Sequence, residues 1–153
     1  MNTADQVQVV TFRLGSQEFA FDILQIERIL RYETPAPLPK APEFLEGVIP
    51  YAGGAVPVVD LRKRFELDAP IREETRVMVL DLGDQRVAVM VDEVREVLRV
   101  DSTTIAAPGP MVSGLAATYI AGIVPRPGRT IIILNARKLL TSTERLSLSG
   151  AGT

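Results

Sequence analysis

Apolar residues in this chain fall into short runs, and the whole order of runs occurs twice. Residues 12–32 (FRLGSQEFAFDILQIERILRY) lie on residues 80–100 (LDLGDQRVAVMVDEVREVLRV) at a constant offset of 68. Leu14, Gly15, Gln17, Ala20, Leu30 and Arg31 recur as Leu82, Gly83, Gln85, Ala88, Leu98 and Arg99. Residues 47–65 (GVIPYAGGAVPVVDLRKRF) lie on residues 122–140 (GIVPRPGRTIIILNARKLL) at an offset of 75. Here Gly47, Pro50, Gly53, Arg62 and Lys63 recur as Gly122, Pro125, Gly128, Arg137 and Lys138. Unrelated windows of ordinary composition share about one residue each. The pattern therefore predicts two related subdomains packed face to face, over about 12–76 and 77–142, with an N-terminal strand available to either.

Each copy opens with a hairpin. Residues 7–14 are rich in Val, Thr and Phe, break at Gly15-Ser16-Gln17 and resume over 18–23. Residues 77–82, the break at Gly83-Asp84-Gln85 and residues 86–91 repeat this. The next stretch is ambiguous, because Ile23, Ile26, Ile29 and Leu30 suit a helix while Leu24, Ile26, Leu30 and Tyr32 suit one strand face. A bend followed by a strand is preferred, since β-branched residues dominate and helix caps are missing. Four prolines within residues 34–42 impose an extended connection. Pro42 should start one helical turn over 43–45, stopped by Gly47. Residues 48–60 read as a second hairpin turning at Gly53-Gly54, with Pro57 marking an edge or a bulge. The later copy turns at residues 126–129. Asp60 and Asn135 then stand as N-caps of short helices over 61–65 and 136–140. Residues 101–115 form a longer linker, and the chain after residue 142 reads as a flexible tail, rich in small residues over 147–153.

Composition narrows the chemistry. The 153 residues, 46% of them hydrophobic, suffice for a sizeable core, and no apolar run approaches a membrane span. The first eight residues lack the regions of a signal peptide, so a cytoplasmic protein is expected. With no cysteine and no histidine, the chain has no disulfide, no thiolate metal site, no cysteine nucleophile and no phosphohistidine. A net charge of −2 and the absence of tryptophan give no footprint for nucleic acid. Asp22 with Asp60, or Asp81 with Asp84 and Asp92, would have to supply any acid–base or cation chemistry. Asp22 becomes Met90 between the copies, however, and Asp92 replaces Leu24. The run Arg62-Lys63-Arg64 reads as a solvated helix face rather than an anion site. No catalytic set, cofactor or metal is assigned, and the residues point to a binding module.

The run from LGSQEFAFDI through the prolines to FLEGVI and VPVVDLRKRF, then VLDLG, VAVMVDEV, YIAG and IIILNARKLL, resembles the CheW family of bacterial chemotaxis coupling proteins over about residues 7–142. The resemblance implies a mainly β fold of two five-stranded, SH3-like barrels around a shared core. It further implies a non-catalytic adaptor between a chemoreceptor tip and the regulatory domain of a CheA-type histidine kinase, recruited from the cytoplasm to membrane receptor arrays. Ile26, Arg28, Leu30 and the hairpin residues Pro50, Tyr51, Ala52, Gly53 and Gly54 lie in segments similar to the family's receptor-facing surface. Val87, Val89, Asp92, Val94 and Arg95 are the corresponding candidates for the kinase side. The family usually reads GVINLRG where this chain has GVIPYAG. Pro50 and Ala52 thus replace the customary asparagine and arginine, and that arginine is associated with receptor coupling. The departure leaves open a second reading, a CheW-like module that regulates another signalling or motility pathway without the standard receptor contact.

Overall fold

The fold is described from a computed structural model, for residues 5–68, 70–107 and 119–139. In chain order it runs β1 (Gln6–Leu14), β2 (Gln17–Asp22), β3 (Ile26–Arg31), β4 (Leu45–Tyr51), β5 (Gly54–Asp60), α1 (Leu61–Arg64), β6 (Arg76–Asp81), β7 (Arg86–Val91), β8 (Glu93–Asp101), β9 (Ile120–Arg126) and β10 (Arg129–Leu134). Short 3-10 turns over Ile23–Gln25, Ser102–Thr104 and Ala136–Lys138 complete it. The bend and strand expected after each hairpin are present as Ile23–Gln25 with β3, and as Asp92 with β8.

The strands form two five-stranded sheets, ordered β8-β1-β2-β10-β9 and β3-β6-β7-β5-β4. Exchanging the two repeats, β1 to β5 for β6 to β10, turns the second order into the first, position for position. The parallel pairs agree too: Ile133 opposes Ala20 and Val58 opposes Ala88, the same residues under the two offsets. The duplication is therefore structural. The division at 76/77 is not, because each sheet takes its first two strands from one repeat and its last three from the other. Chain connectivity forces this exchange: β2 belongs to the first sheet and β3, three residues later, to the second, while only Asp92 separates β7 from β8.

Each sheet closes on itself through one bridge. Ala36 exchanges both main-chain bonds with Val48 at 2.9 Å, and Ala106 does the same with Ile123 at 2.8 Å. Gly47 and Gly122 precede these bridge residues for a steric reason. A Cβ on Gly47 would sit 2.1 Å from the Ala36 carbonyl oxygen, and one on Gly122 would sit 2.4 Å from the Ile105 side chain. Gly47 also holds φ +143.

Successive side chains of a strand point to opposite faces, and here both faces are buried. Val9, Ala20, Val100, Val124, Ile131 and Ile133 fill the first barrel, and Val56, Val58, Val77, Val79, Ala88 and Met90 fill the second. Their neighbours Val10, Phe12, Leu14 and Phe21 face Val59, Leu61, Leu80, Val87 and Val89 in a core shared between the barrels. Phe12, Phe19, Phe21, Phe65 and Tyr119 form a chain of ring contacts across it, with centroids 5.0–6.1 Å apart.

Several local expectations need correction. The helical turn at 43–45 is a single hydrogen-bonded turn, Leu45 N–H to Pro42 carbonyl, after which β4 starts at once. The β4–β5 hairpin turns at Ala52-Gly53, one residue before Gly53-Gly54. Both residues have positive φ, +51 and +81, as a two-residue turn matched to strand twist requires. Pro57 lies on neither an edge nor a bulge, since β5 runs between β4 and β7. The ladder to β7 begins at Val58, so the missing N–H falls outside it. The helix expected over 136–140 is a 3-10 turn, with Lys138 and Leu139 donating three residues back. Residues 108–115 of the linker and the tail 143–153 lie outside the described residues.

Gly47→Ala should lower stability more than Gly122→Ala in urea unfolding, because a backbone oxygen yields less than the end of an isoleucine. Strain of this kind costs on the order of 1–3 kcal/mol.

Candidate partner-binding surfaces

Two places bear on the candidate surfaces: the barrel junction, where charged groups are buried, and the outer ends of the barrels, where the sequence suggested partner contacts.

At the junction Arg62 is fully buried. Its Nε and Nη2 donate to the two oxygens of Asp60 at 3.0 and 3.1 Å, and Nη1 donates to Asp92 Oδ1 at 3.0 Å and to the Pro70 carbonyl at 2.6 Å. The second oxygen of Asp92 accepts the Gly15 N–H at 2.6 Å. Burial opposes the guanidinium charge, but the bonds from Asp60 and then Asp92 outweigh it and hold its pKa above the usual value. The chain of bonds joins α1 of the second barrel, through the crossing residue Asp92, to the β1–β2 turn of the first.

The expected solvated face of Arg62-Lys63-Arg64 is thus overturned at Arg62 and Arg64, while Lys63 is exposed. Lys63 bonds Glu46 at 2.9 Å, and Arg64 stacks over the Phe44 ring while donating to the Tyr119 hydroxyl and the Leu139 carbonyl. Asp60 is the cap it was expected to be, accepting the Arg62 N–H, and Asn135 caps the Arg137 N–H in the other copy. The carboxylates weighed for acid–base work are used locally: Asp22 accepts from Leu24 N–H and Asp81 from Gly83 N–H.

On the receptor-like side, Arg28, Pro50, Ala52, Gly53 and Gly54 are exposed, whereas Ile26 and Leu30 are half-buried against the shared core and the second barrel's interior. Tyr51 is also half-buried. Its hydroxyl donates to Glu27, and Arg86, bonded to Glu27 at 3.0 Å, lies 5.7 Å from its ring centre. The bond to Glu27 raises the phenol pKa, and bonds from Tyr51 and Arg86 lower that of Glu27. One face of the ring therefore closes the barrel end. Ile29, exposed on the same strand, was missed, because beside Leu30 it fitted a helical spacing with Ile23 and Ile26 that gave no sign of its facing solvent.

On the kinase-like side the structure removes three candidates. Val87 and Val89 are 3% and 1% exposed and line the shared core, so neither can meet a partner. The carboxylate of Asp92 is committed to Arg62 and Gly15. Val94 is half-buried against the core, and Arg95 is exposed with Glu93 at 3.7 Å. Sequence reasoning also missed the Arg62 network. Its one trace is the substitution of Asp92 and Asp60 by Leu24 and Asn135 at the equivalent sites.

Two five-stranded barrels around a shared core are the architecture that the resemblance implied. The pattern of the CheW-like domain matches residues 8–144, and the chain belongs to the CheW family. It is similar to the chemotaxis protein CheW of Klebsiella aerogenes, 32% identical over 90% of this chain and 83% of that protein. It is likewise similar to chemotaxis protein CheW of Treponema pallidum, 28% identical over 95% and 88% of the two chains. Among solved structures, the scaffolding protein TtCheW from Thermoanaerobacter tengcongensis superimposes with a TM-score of 0.82 at 27% identity, covering 90% of each chain. The mainly β fold and the non-catalytic, adaptor character expected from the resemblance hold. Among the described residues no helix is long and apolar enough to cross a membrane.

The unequal networks predict unequal caps. Asp60→Ala strands a buried guanidinium and should cost about 3–5 kcal/mol, whereas Asn135→Ala removes only a cap bond and should cost about 1 kcal/mol. Chemical denaturation of the two variants checks the difference.

Proposed function

We propose that this protein is a chemotaxis coupling adaptor that holds a CheA-type histidine kinase and a chemoreceptor at once, so that a change in one reaches the other. The support is family membership across nearly the whole chain, together with a fold that joins two barrels through one shared core. The receptor contact is assigned to β3 and the β4–β5 hairpin, through Arg28, the exposed parts of Ile26 and Leu30, and residues 50–54. The kinase contact is assigned to the start of β8, through Val94 and Arg95. The protein works from the cytoplasm, recruited to receptor arrays by these contacts.

The hairpin sets the character of the receptor contact. Ala52 projects no long side chain, and its left-handed φ is one that Ala tolerates at a cost of about 1–2 kcal/mol. Tyr51 and Pro50 beside it offer a flat, largely apolar surface.

Titration calorimetry with a purified receptor cytoplasmic fragment and, separately, with the kinase regulatory domain tests the assignment. Ala52→Arg should tighten receptor binding without changing kinase binding. Arg95→Glu should weaken kinase binding by about 1–3 kcal/mol and spare the receptor. Binding of neither partner by the unaltered chain would refute the adaptor reading.

A further inference from the structure

The two barrel junctions are related by the same offsets as the strands, and one of them shows what the other lacks. At the first, the Asp92 carboxylate sits between the Arg62 guanidinium and the Gly15 N–H. The offsets carry Arg62 to Arg137, Gly15 to Gly83 and Asp92 to Leu24. The backbone keeps the correspondence. Val94 opposite Phe12 brings Asp92 alongside Leu14 and Gly15, and Ile26 opposite Leu80 brings Leu24 alongside Leu82 and Gly83. Arg137 lies against its glycine, with Nη2 2.7 Å from where a Cβ on Gly83 would stand. It makes no ion pair and no side-chain hydrogen bond among the described residues. Asp81, which stands where the first copy has Arg13, takes the Gly83 N–H at 2.8 Å, so the guanidinium is the donor left over. Leu24, at 88%, is the most exposed large apolar side chain among the described residues, and it sits on the bend that opens β3.

We propose that the receptor segment docked along β3 sets an Asp or Glu carboxylate on Arg137 and an apolar side chain on Leu24. The partner then fills from outside the place that Asp92 fills from within at the other junction. This rests on the assignment of β3 to the receptor contact above. Three features select such an occupant. The exposed guanidinium offers forked donors whose geometry matches a carboxylate. Lys138 beside it is exposed and of the same sign. Leu24 leads directly into Ile26 and Arg28, so its apolar surface continues the β3 face. The kinase contact, at the start of β8, adjoins the sealed junction, where Asp60 and Asp92 already neutralise Arg62. A carboxylate is therefore accepted at one end of the adaptor and has no place at the other.

Two measurements on the full chain test this. In chemical denaturation, a double-mutant cycle of Leu24→Asp with Arg137→Ala asks whether a carboxylate at this place reaches the guanidinium. Leu24→Asp should be better tolerated with Arg137 present than with it replaced. In titration calorimetry with a purified receptor cytoplasmic fragment, Arg137→Ala and Leu24→Asp should each weaken binding about tenfold, and Arg137→Lys should weaken it less. Added salt should remove less affinity from Arg137→Ala than from the unaltered chain. Binding of the kinase regulatory domain should stay unchanged, and circular dichroism establishes that each variant is folded. A receptor fragment that binds the unaltered chain and Arg137→Ala alike overturns the proposal and leaves the adaptor reading standing. A loss seen with the kinase instead of the receptor, or no coupling in the cycle, overturns it as well. A receptor fragment that does not bind the unaltered chain overturns the receptor assignment and the proposal with it.

Discussion

The chain crosses from one barrel to the other at two places, and nearly everything else follows from the shortness of the crossings. Three residues separate β2 from β3, and one separates β7 from β8. With no slack at either point, the barrels must lie against each other, and the strands that meet between them must bury both faces. The near-continuous apolar runs of β1, β6 and β7 are the outcome: alternate residues fill a barrel, and those between fill the shared core. Stability and rigidity then belong to the pair of barrels, and a scaffold that transmits changes between partners needs that rigidity.

The crossing at Asp92 is the more tightly held. A buried guanidinium is tolerable only when its donors are satisfied and its charge is matched. Arg62 meets this with two carboxylates and a carbonyl, and the same Asp92 fixes the turn at Gly15. The other junction has the arginine, Arg137, but has lost both carboxylates. Arg137 is exposed there, and Leu24, in place of Asp92, is 88% exposed. The two repeats have thus diverged by function as well as by sequence: one junction is a sealed structural joint, and the other is open to solvent.

The repeat, the hairpins, the caps and the family were all legible in the sequence, because each rests on local spacing. Strand exchange was not, since an offset between repeats is the same whether a copy's strands pair with each other or with the other copy's. For a like reason Val87 and Val89 looked available. When Ala88 and Met90 beside them are also buried, no alternation reveals which face meets solvent. Arg62 sat within three consecutive cations, a pattern that usually marks a wet surface, and only its distant partner Asp92 made it a core residue. At the receptor-like hairpin the sequence showed the turn residues but not their surroundings. Tyr51 was seen as an aromatic at a turn, whereas Glu27 and Arg86, from strands remote in sequence, hold it against the barrel end.

Interdependence of the barrels is the central claim, and native-state hydrogen exchange under mild denaturant measures it directly. Amides of Ala20 and Phe21 in β2 and of Val89 and Met90 in β7 report on the two sheets. If the exchanged strands and shared core make one cooperative unit, all four should open with the same free energy and the same denaturant dependence, equal to global unfolding. Two classes, one sheet opening well below the global free energy while the other stays protected, would contradict it.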